Sequence, residues 1–220
     1  MVNLISPLKE NELNKMKQIF VTGISTGIGK TMASAIITEA LEADYWKPVQ
    51  AGDLDNTDSD KVKALISNNK TVIHKSSYEL TSPISPHAAA QIDGVFIDRD
   101  NIKEPKTDNY LVIEGCGGLL VPFNDTDTVL DIIMPTYKVV VVSRHYLGSI
   151  NHTLLTVKWL VQKGYDVSVL FSGNANPHTE NIILHKTGVS LIGRIEEEET
   201  FDKTVVKKYA DLFAPVLKTL

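Results

Sequence analysis

The sequence predicts a three-layer α/β fold: a mostly parallel sheet with helices on both faces. Three observations predict it. Continuous apolar runs, the clearest being the four valines 139–142, read as strands buried on both sides. These runs alternate with helical segments along the chain. The segments richest in chemistry, 23–31, 47–52, 114–118 and 143–151, each follow the end of such a run. Parallel α/β sheets bind their ligands at the carboxyl ends of the strands.

Each element has its own signal. Residues 18–22 form an apolar strand that enters a glycine-rich loop. Residues 30–43 form a helix with Ala33, Ile36, Ile37, Ala40 and Leu41 on one face. Residues 45–49 form a short strand around Lys47-Pro48, and 58–66 a helix with Val62, Leu65 and Ile66 apolar. A short helix is expected over 86–92 and a buried strand over 110–113. After the valine strand comes a helix over 149–162, ended by Gly164. Then follow a strand 167–171, a helix 180–186, a short strand 191–192 and an amphipathic helix 202–217. No internal repeat or linker divides the chain, so 17–220 reads as a single domain. Residues 1–16 read as a flexible leader ahead of a second methionine, Met16.

Bulk composition narrows the function. The 220 residues are 43% hydrophobic and 22% charged, which suits a globular protein with a sizeable core. A net charge of −5 offers no general attraction for a nucleic acid backbone. The single cysteine, Cys116, excludes an intrachain disulfide and points to a reducing, cytoplasmic setting. No apolar run is long enough to span a membrane, and the first 17 residues lack the apolar centre of a secretory signal.

The segment Gly23-Ile24-Ser25-Thr26-Gly27-Ile28-Gly29-Lys30-Thr31 fits G-x-x-x-x-G-K-[ST], between a strand and a helix. Its glycines let several backbone N–H groups turn inward, where they and the positive end of the helix cradle phosphate. Lys30 would reach the β- and γ-phosphates of a nucleoside triphosphate, and the Thr31 hydroxyl would ligate Mg²⁺.

Other candidates are more ambiguous on their own. Lys47 at a strand end reads first as a surface lysine, with a site cation as the alternative. Asp53, Asp55, Asp58 and Asp60 form an acidic stretch. It reads as a solvated loop from which one carboxylate could serve Mg²⁺, and it lacks the glycine and glutamate of a calcium loop. Glu114, after an apolar strand and before glycines, suits a carboxylate that holds Mg²⁺ directly or through water, or a plain strand terminator. Cys116 reads as a small filler between glycines. The six histidines show no zinc-type spacing with cysteine.

Taken as an ordered set, these motifs resemble the dethiobiotin synthetases. The set comprises Val21-Thr22-Gly23 with the loop to Thr31, Lys47-Pro48-Val49-Gln50-Ala51-Gly52, and Asp58-Ser59-Asp60. It continues through Ser82-Pro83-Ile84-Ser85-Pro86-His87-Ala88-Ala89 and Glu114-Gly115-Cys116-Gly117-Gly118 to Tyr146-Leu147-Gly148-Ser149-Ile150-Asn151-His152. The resemblance spans roughly residues 17–195 and implies a P-loop NTPase-like fold. It implies ATP- and Mg²⁺-dependent carboxylation and ring closure of 7,8-diaminopelargonate with CO₂, within biotin biosynthesis.

It also implies roles. Lys47, Lys30 and Thr26 would be catalytic. Ser25, Thr26, Gly27, Ile28, Gly29, Lys30, Thr31, Met32, Ser172 and Asn174 would bind nucleotide, and Thr31, Asp60 and Glu114 would hold Mg²⁺. Lys47, Ala51, Gly117 and Gly118 would line the diamine. Leu147, Gly148, Ser149, Ile150 and Asn151 would reach its carboxylate tail from the partner subunit of a homodimer. The sequence departs from the family where Gly27 replaces an acidic residue, where Ser172 stands at the adenine-reading asparagine, and where Ile195-Glu196 replaces an Ile-Pro pair. Rival readings fit less well. A partition-type switch ATPase would carry a second lysine early in the loop, where Ile24 and Ser25 stand, and no guanine-reading Asn-Lys-x-Asp occurs.

Overall fold

A computed structural model describes residues 18–220; the leader expected over 1–16 lies outside them. Among the described residues, seven strands form one sheet in which every pairing is parallel. They are β1 (Gln18–Gly23), β2 (Asp44–Trp46), β4 (Ile73–His74), β6 (Leu111–Glu114), β7 (Lys138–Arg144), β8 (Asp166–Ser172) and β9 (Ser190–Ile195). Their order across the sheet is β4-β2-β6-β1-β7-β8-β9. The long apolar runs take the middle, where both faces are covered.

Two packed cores lie on the two faces. One joins Val21, Tyr45, Val112, Val140 and Leu170 to helix α1 (Lys30–Leu41) and helix α6 (Lys203–Leu217). Ile36, Ile37, Tyr209 and Phe213 of those helices are buried there. The other joins Phe20, Ile113, Val141, Val169 and Phe171 to helices α3 (Pro86–Ile92), α4 (Ser149–Gln162) and α5 (Pro177–Thr187), through Ala89, Leu160 and Ile183. The valine run alternates between the two cores, as a period-two strand must. That makes three layers, as expected.

One expected strand is split. Pro48 has no N–H to offer a ladder, so the run breaks at Lys47-Pro48. The chain continues as β3 (Val49–Ala51), which leaves the main sheet and pairs with β5 (Tyr78–Leu80). The Pro48 carbonyl accepts from Ser77 and Tyr78 N–H at 2.9 and 3.1 Å, which anchors the departure. Lys47 sits at this fork, buried. Helix α2 (Asp58–Leu65) follows, opened by a capping box in which Thr57 and Asp60 satisfy each other's backbone N–H groups. No helix among the described residues is long and apolar enough to cross a membrane.

Candidate active site

The phosphate loop joins β1 to α1. Gly29 caps α1 with φ 90° and no side-chain cap bond, so the first helical N–H groups are left for a ligand. Ser25, Thr26 and Gly27 are exposed, and Ile28 turns back into the core. At Gly23 the side chains of Ile28 and Lys30 pack close to the backbone: a Cβ would stand 2.4 Å from Ile28 Cδ1 and 3.2 Å from Lys30 Cδ. Lys30 is buried and donates to the Ser25 carbonyl at 2.9 Å. Burial, and then the charge of Lys47, push its ammonium down to about 8, against the opposing pull of Glu114.

Lys47 is the centre of a buried charge cluster. Its Nζ lies 2.8 Å from Asp58 and 3.1 Å from Glu114, and donates to the Gly115 carbonyl at 3.0 Å. Burial would strip its proton, but Glu114 and Asp58 hold it well above the ordinary lysine range. Glu114 ends β6 and is 1% exposed. One of its oxygens accepts from Thr31 Oγ1 at 3.0 Å and from Lys47; the other accepts from the Tyr45 hydroxyl at 2.9 Å. Asp58 opposes Glu114 across Lys47. Burial would raise its carboxyl, but Lys47, then Lys61 and Thr31, hold it below the usual range. Cys116 sits among the same charges; burial pushes its thiol up to about 11, so it stays protonated and inert at neutral pH.

Lys30, Thr31, Lys47 and Glu114 thus meet at the strand ends. Asp60 does not join them. Its carboxylate faces outward and accepts from the Thr57 N–H at 3.0 Å and the Thr57 hydroxyl at 2.6 Å. The carboxylate that reaches the cluster is Asp58, two residues earlier. One turn-start in a helix cannot aim both residues inward, and the capping box takes Asp60. The Thr57-x-x-Asp60 spacing was a usable signal for this. Tyr45 had no signal beyond an apolar strand position.

Gly117 and Gly118 pack over the loop: a Cβ on Gly117 would lie 3.6 Å from Thr26 Oγ1, and one on Gly118 would lie 3.4 Å from the Gly23 carbonyl. Met32 is half-buried against the first core, and Ala51 ends β3 half-buried. Ser172 is buried beside the loop, its Oγ 3.1 Å from where a Gly29 Cβ would stand, whereas Asn174 is exposed. An ionic network closes this side. Glu180 accepts from His145 Nε2 and, through both oxygens, from Arg194, each at 2.9 Å. Arg144 reaches Glu197 at 2.6 Å.

Residues 147–150 line a pocket that neither Lys30 nor Lys47 borders. Gly148, at φ 104°, caps α4 without a side-chain bond, leaving another open helix start. Leu147 is fully exposed, Asn151 is exposed and Ser149 is buried. A pocket of about 410 Å³ lies here, lined by residues 145–150 with Asn176 and Thr179. Leu155 and Trp159 of α4, with Leu120, border an apolar groove of about 480 Å³ that also reaches Ile24 and Gly118.

A parallel α/β sheet with a phosphate loop, paired lysines and oxygen donors at its strand ends defines a nucleotide-dependent P-loop enzyme. A family model described as an AAA domain matches residues 17–205. An ATP-dependent dethiobiotin synthetase of Christiangramia forsetii is 54% identical over 198 residues, covering 90% of this chain and 96% of the relative. One from Cytophaga hutchinsonii is 48% identical, covering 89% and 96%. The chain belongs to the ATP-dependent dethiobiotin synthetase family. A plasmid partition protein of Borrelia burgdorferi shares the fold, with a TM-score of 0.57 at 15% identity, covering 94% of this chain and 100% of that one.

Proposed function

We propose that this chain closes the ureido ring of dethiobiotin from 7,8-diaminopelargonate, CO₂ and ATP, forming C–N bonds at the expense of ATP. The observation that carries this reading is Lys47. A lysine buried to 3% exposure and kept charged by two carboxylates, beside a phosphate loop, suits a reaction that brings two anions together. One amine of the substrate takes up CO₂ as a carbamate. A carbamate oxygen attacks the γ-phosphorus, and ADP leaves. The second amine then attacks the carbamate carbon, loses its proton, and releases inorganic phosphate. Lys30 and Lys47 would offset the charge of carbamate and phosphate, Thr26 would contact them at the loop, and Gly117-Gly118 with Ala51 would line the amines.

Thr31, Asp58 and Glu114 offer only hard oxygen donors, the set that suits Mg²⁺. Among the described residues no three His, Cys, Asp or Glu side chains converge as a metal cage. Mg²⁺ of this type needs only one or two carboxylates, with phosphates and water completing the shell. When bound it would neutralise phosphate charge.

The open start of α4, with Asn151, would take the substrate's carboxylate. Neither lysine borders its pocket, and the apolar groove of Leu120 with Leu155 and Trp159 of α4 supports a homodimer in which each subunit supplies the other's tail site. Light scattering would read one or two chains per particle. The proposed compartment is the cytoplasm, on the one cysteine.

The test is phosphate release from ATP and Mg²⁺, with and without diamine and bicarbonate, with products read by mass spectrometry. Diamine-dependent release with a cyclic urea product is expected. Hydrolysis indifferent to the diamine would overturn the reading.

A further inference from the structure

We infer that Tyr45 is a positioning residue for the divalent metal, acting through Glu114. The inference rests on the reading of Glu114 as a metal partner. Tyr45 on β2 pairs with Val112 on β6, and Glu114 lies two residues further along the same face. That diagonal is within reach of an aromatic side chain. The Tyr45 hydroxyl spans it and donates to Glu114 Oε2 at 2.9 Å, between residues that are 0% and 1% exposed.

The geometry divides the carboxylate into two ends. Oε1 faces Thr31 and Lys47, on the phosphate side. Oε2 faces the core, and Tyr45 is the hydrogen-bond partner it has there. The bond therefore stops the carboxylate from turning and presents one oxygen to the phosphate side. Without it, a buried carboxylate oxygen loses its partner, and the group gains by rotating. Rotation weakens the metal's carboxylate. The ring of Tyr45 packs in the first core, a role that an apolar ring would also serve. The hydroxyl is what the packing does not explain.

The experiment compares Tyr45→Phe with the full-length wild-type chain, using Mn²⁺ as the probe. Free Mn²⁺ is read by electron paramagnetic resonance in the presence of a non-hydrolysable ATP analogue. Partners of metal ligands typically govern affinity about 10–100-fold, so a loss of about tenfold is expected. Analogue binding without metal should be unchanged, and thermal melting without metal reads any structural cost separately. In a Glu114→Gln background, Tyr45→Phe should add nothing. Unchanged Mn²⁺ affinity in folded Tyr45→Phe, or an equal loss in the Glu114→Gln background, overturns the inference. If Tyr45→Phe does not fold, a fluorinated tyrosine at position 45 keeps the shape and strengthens the donor. Its Mn²⁺ affinity must then shift, and no shift overturns the inference. A wild type that binds no Mn²⁺ removes the inference together with the metal reading. Mn²⁺ binding without urea formation removes the proposed reaction and leaves Tyr45's role standing.

Discussion

The surroundings of Lys47 and the start of α4 are opposites in construction. Around Lys47 each charge has a fixed partner: Asp58 at 2.8 Å, Glu114 at 3.1 Å, and Tyr45 and Thr31 beyond them. At the start of α4 the helix is uncapped, Leu147 is fully exposed, and Asn151 meets solvent. One region is preorganised within a single chain; the other is left open. The difference teaches where the proposed chemistry must be exact. Charge developing in a transition state needs dipoles already in place. A substrate tail needs only binding, which a partner surface can complete.

The largest break in this comparison is Lys47→Ala. Turnover should fall about 10³-fold, the scale of losing a preorganised electrostatic group. Stability should also fall, by about 3–5 kcal/mol, because Glu114 and Asp58 would face each other without their cation. Single-turnover phosphate release and a thermal melt read the two effects separately. Turnover near wild type would remove the central claim.

A second break compares two aspartates two residues apart. Asp58→Asn should cut Mg²⁺-dependent turnover about 100-fold, as loss of a charged group at the metal. Asp60→Asn should leave turnover in place and cost about 1 kcal/mol or less, as a weakened helix cap. Steady-state rates at graded Mg²⁺ distinguish them. The reverse order of effects would restore Asp60 to the site and remove Asp58.

This pair also marks how far the sequence was legible. The parallel sheet was legible because its strands are long apolar runs, and the phosphate loop because its glycines and lysine sit at fixed spacing. Helices 86–92 and 149–162 were legible to the residue, since Pro86 opens one and Gly148 precedes the other. The Thr57-x-x-Asp60 spacing marks Asp60 as taken by the helix cap, whereas nothing in the one-dimensional motif aims Asp58 at Lys47. The departure of β3 hangs on Pro48, and the short β4 and β5 carry too few residues for any periodicity. Tyr45 was hidden because its strand position reads as core, and its hydroxyl finds Glu114 only across a strand pairing 69 residues away.

The open region is tested by a smaller effect. Asn151→Ala should raise the diamine KM about tenfold, with kcat and the KM for ATP little changed, because a tail contact far from the reacting atoms contributes uniform binding. Initial rates with each substrate varied check it. Equal changes in both KM values would move Asn151 away from the tail.

The smallest effect tests whether the preorganised region is also preorganised in its protons. Lys30 is held at about 8 with no nucleotide bound, by burial first and Lys47 second. Lys47, paired with two carboxylates, lies well above that range and keeps its charge throughout. Bound triphosphate would favour charged Lys30 and raise its pKa, so the sign is fixed. Below about pH 7 Lys30 is charged before and after binding. Above about 8 the free protein must take up a proton to bind, and affinity should fall by up to about tenfold per pH unit. Phosphate ionisation is nearly complete above about pH 7, so it does not mask the trend. Calorimetry of a non-hydrolysable ATP analogue between pH 7 and 9.5 should show weakening affinity and net proton uptake at the alkaline end. Lys30→Arg, whose guanidinium does not titrate there, should flatten the curve. A wild-type affinity that stays level across this range would mean that Lys30 is as firmly charged as Lys47, and that the two lysines do not divide the work as their surroundings imply.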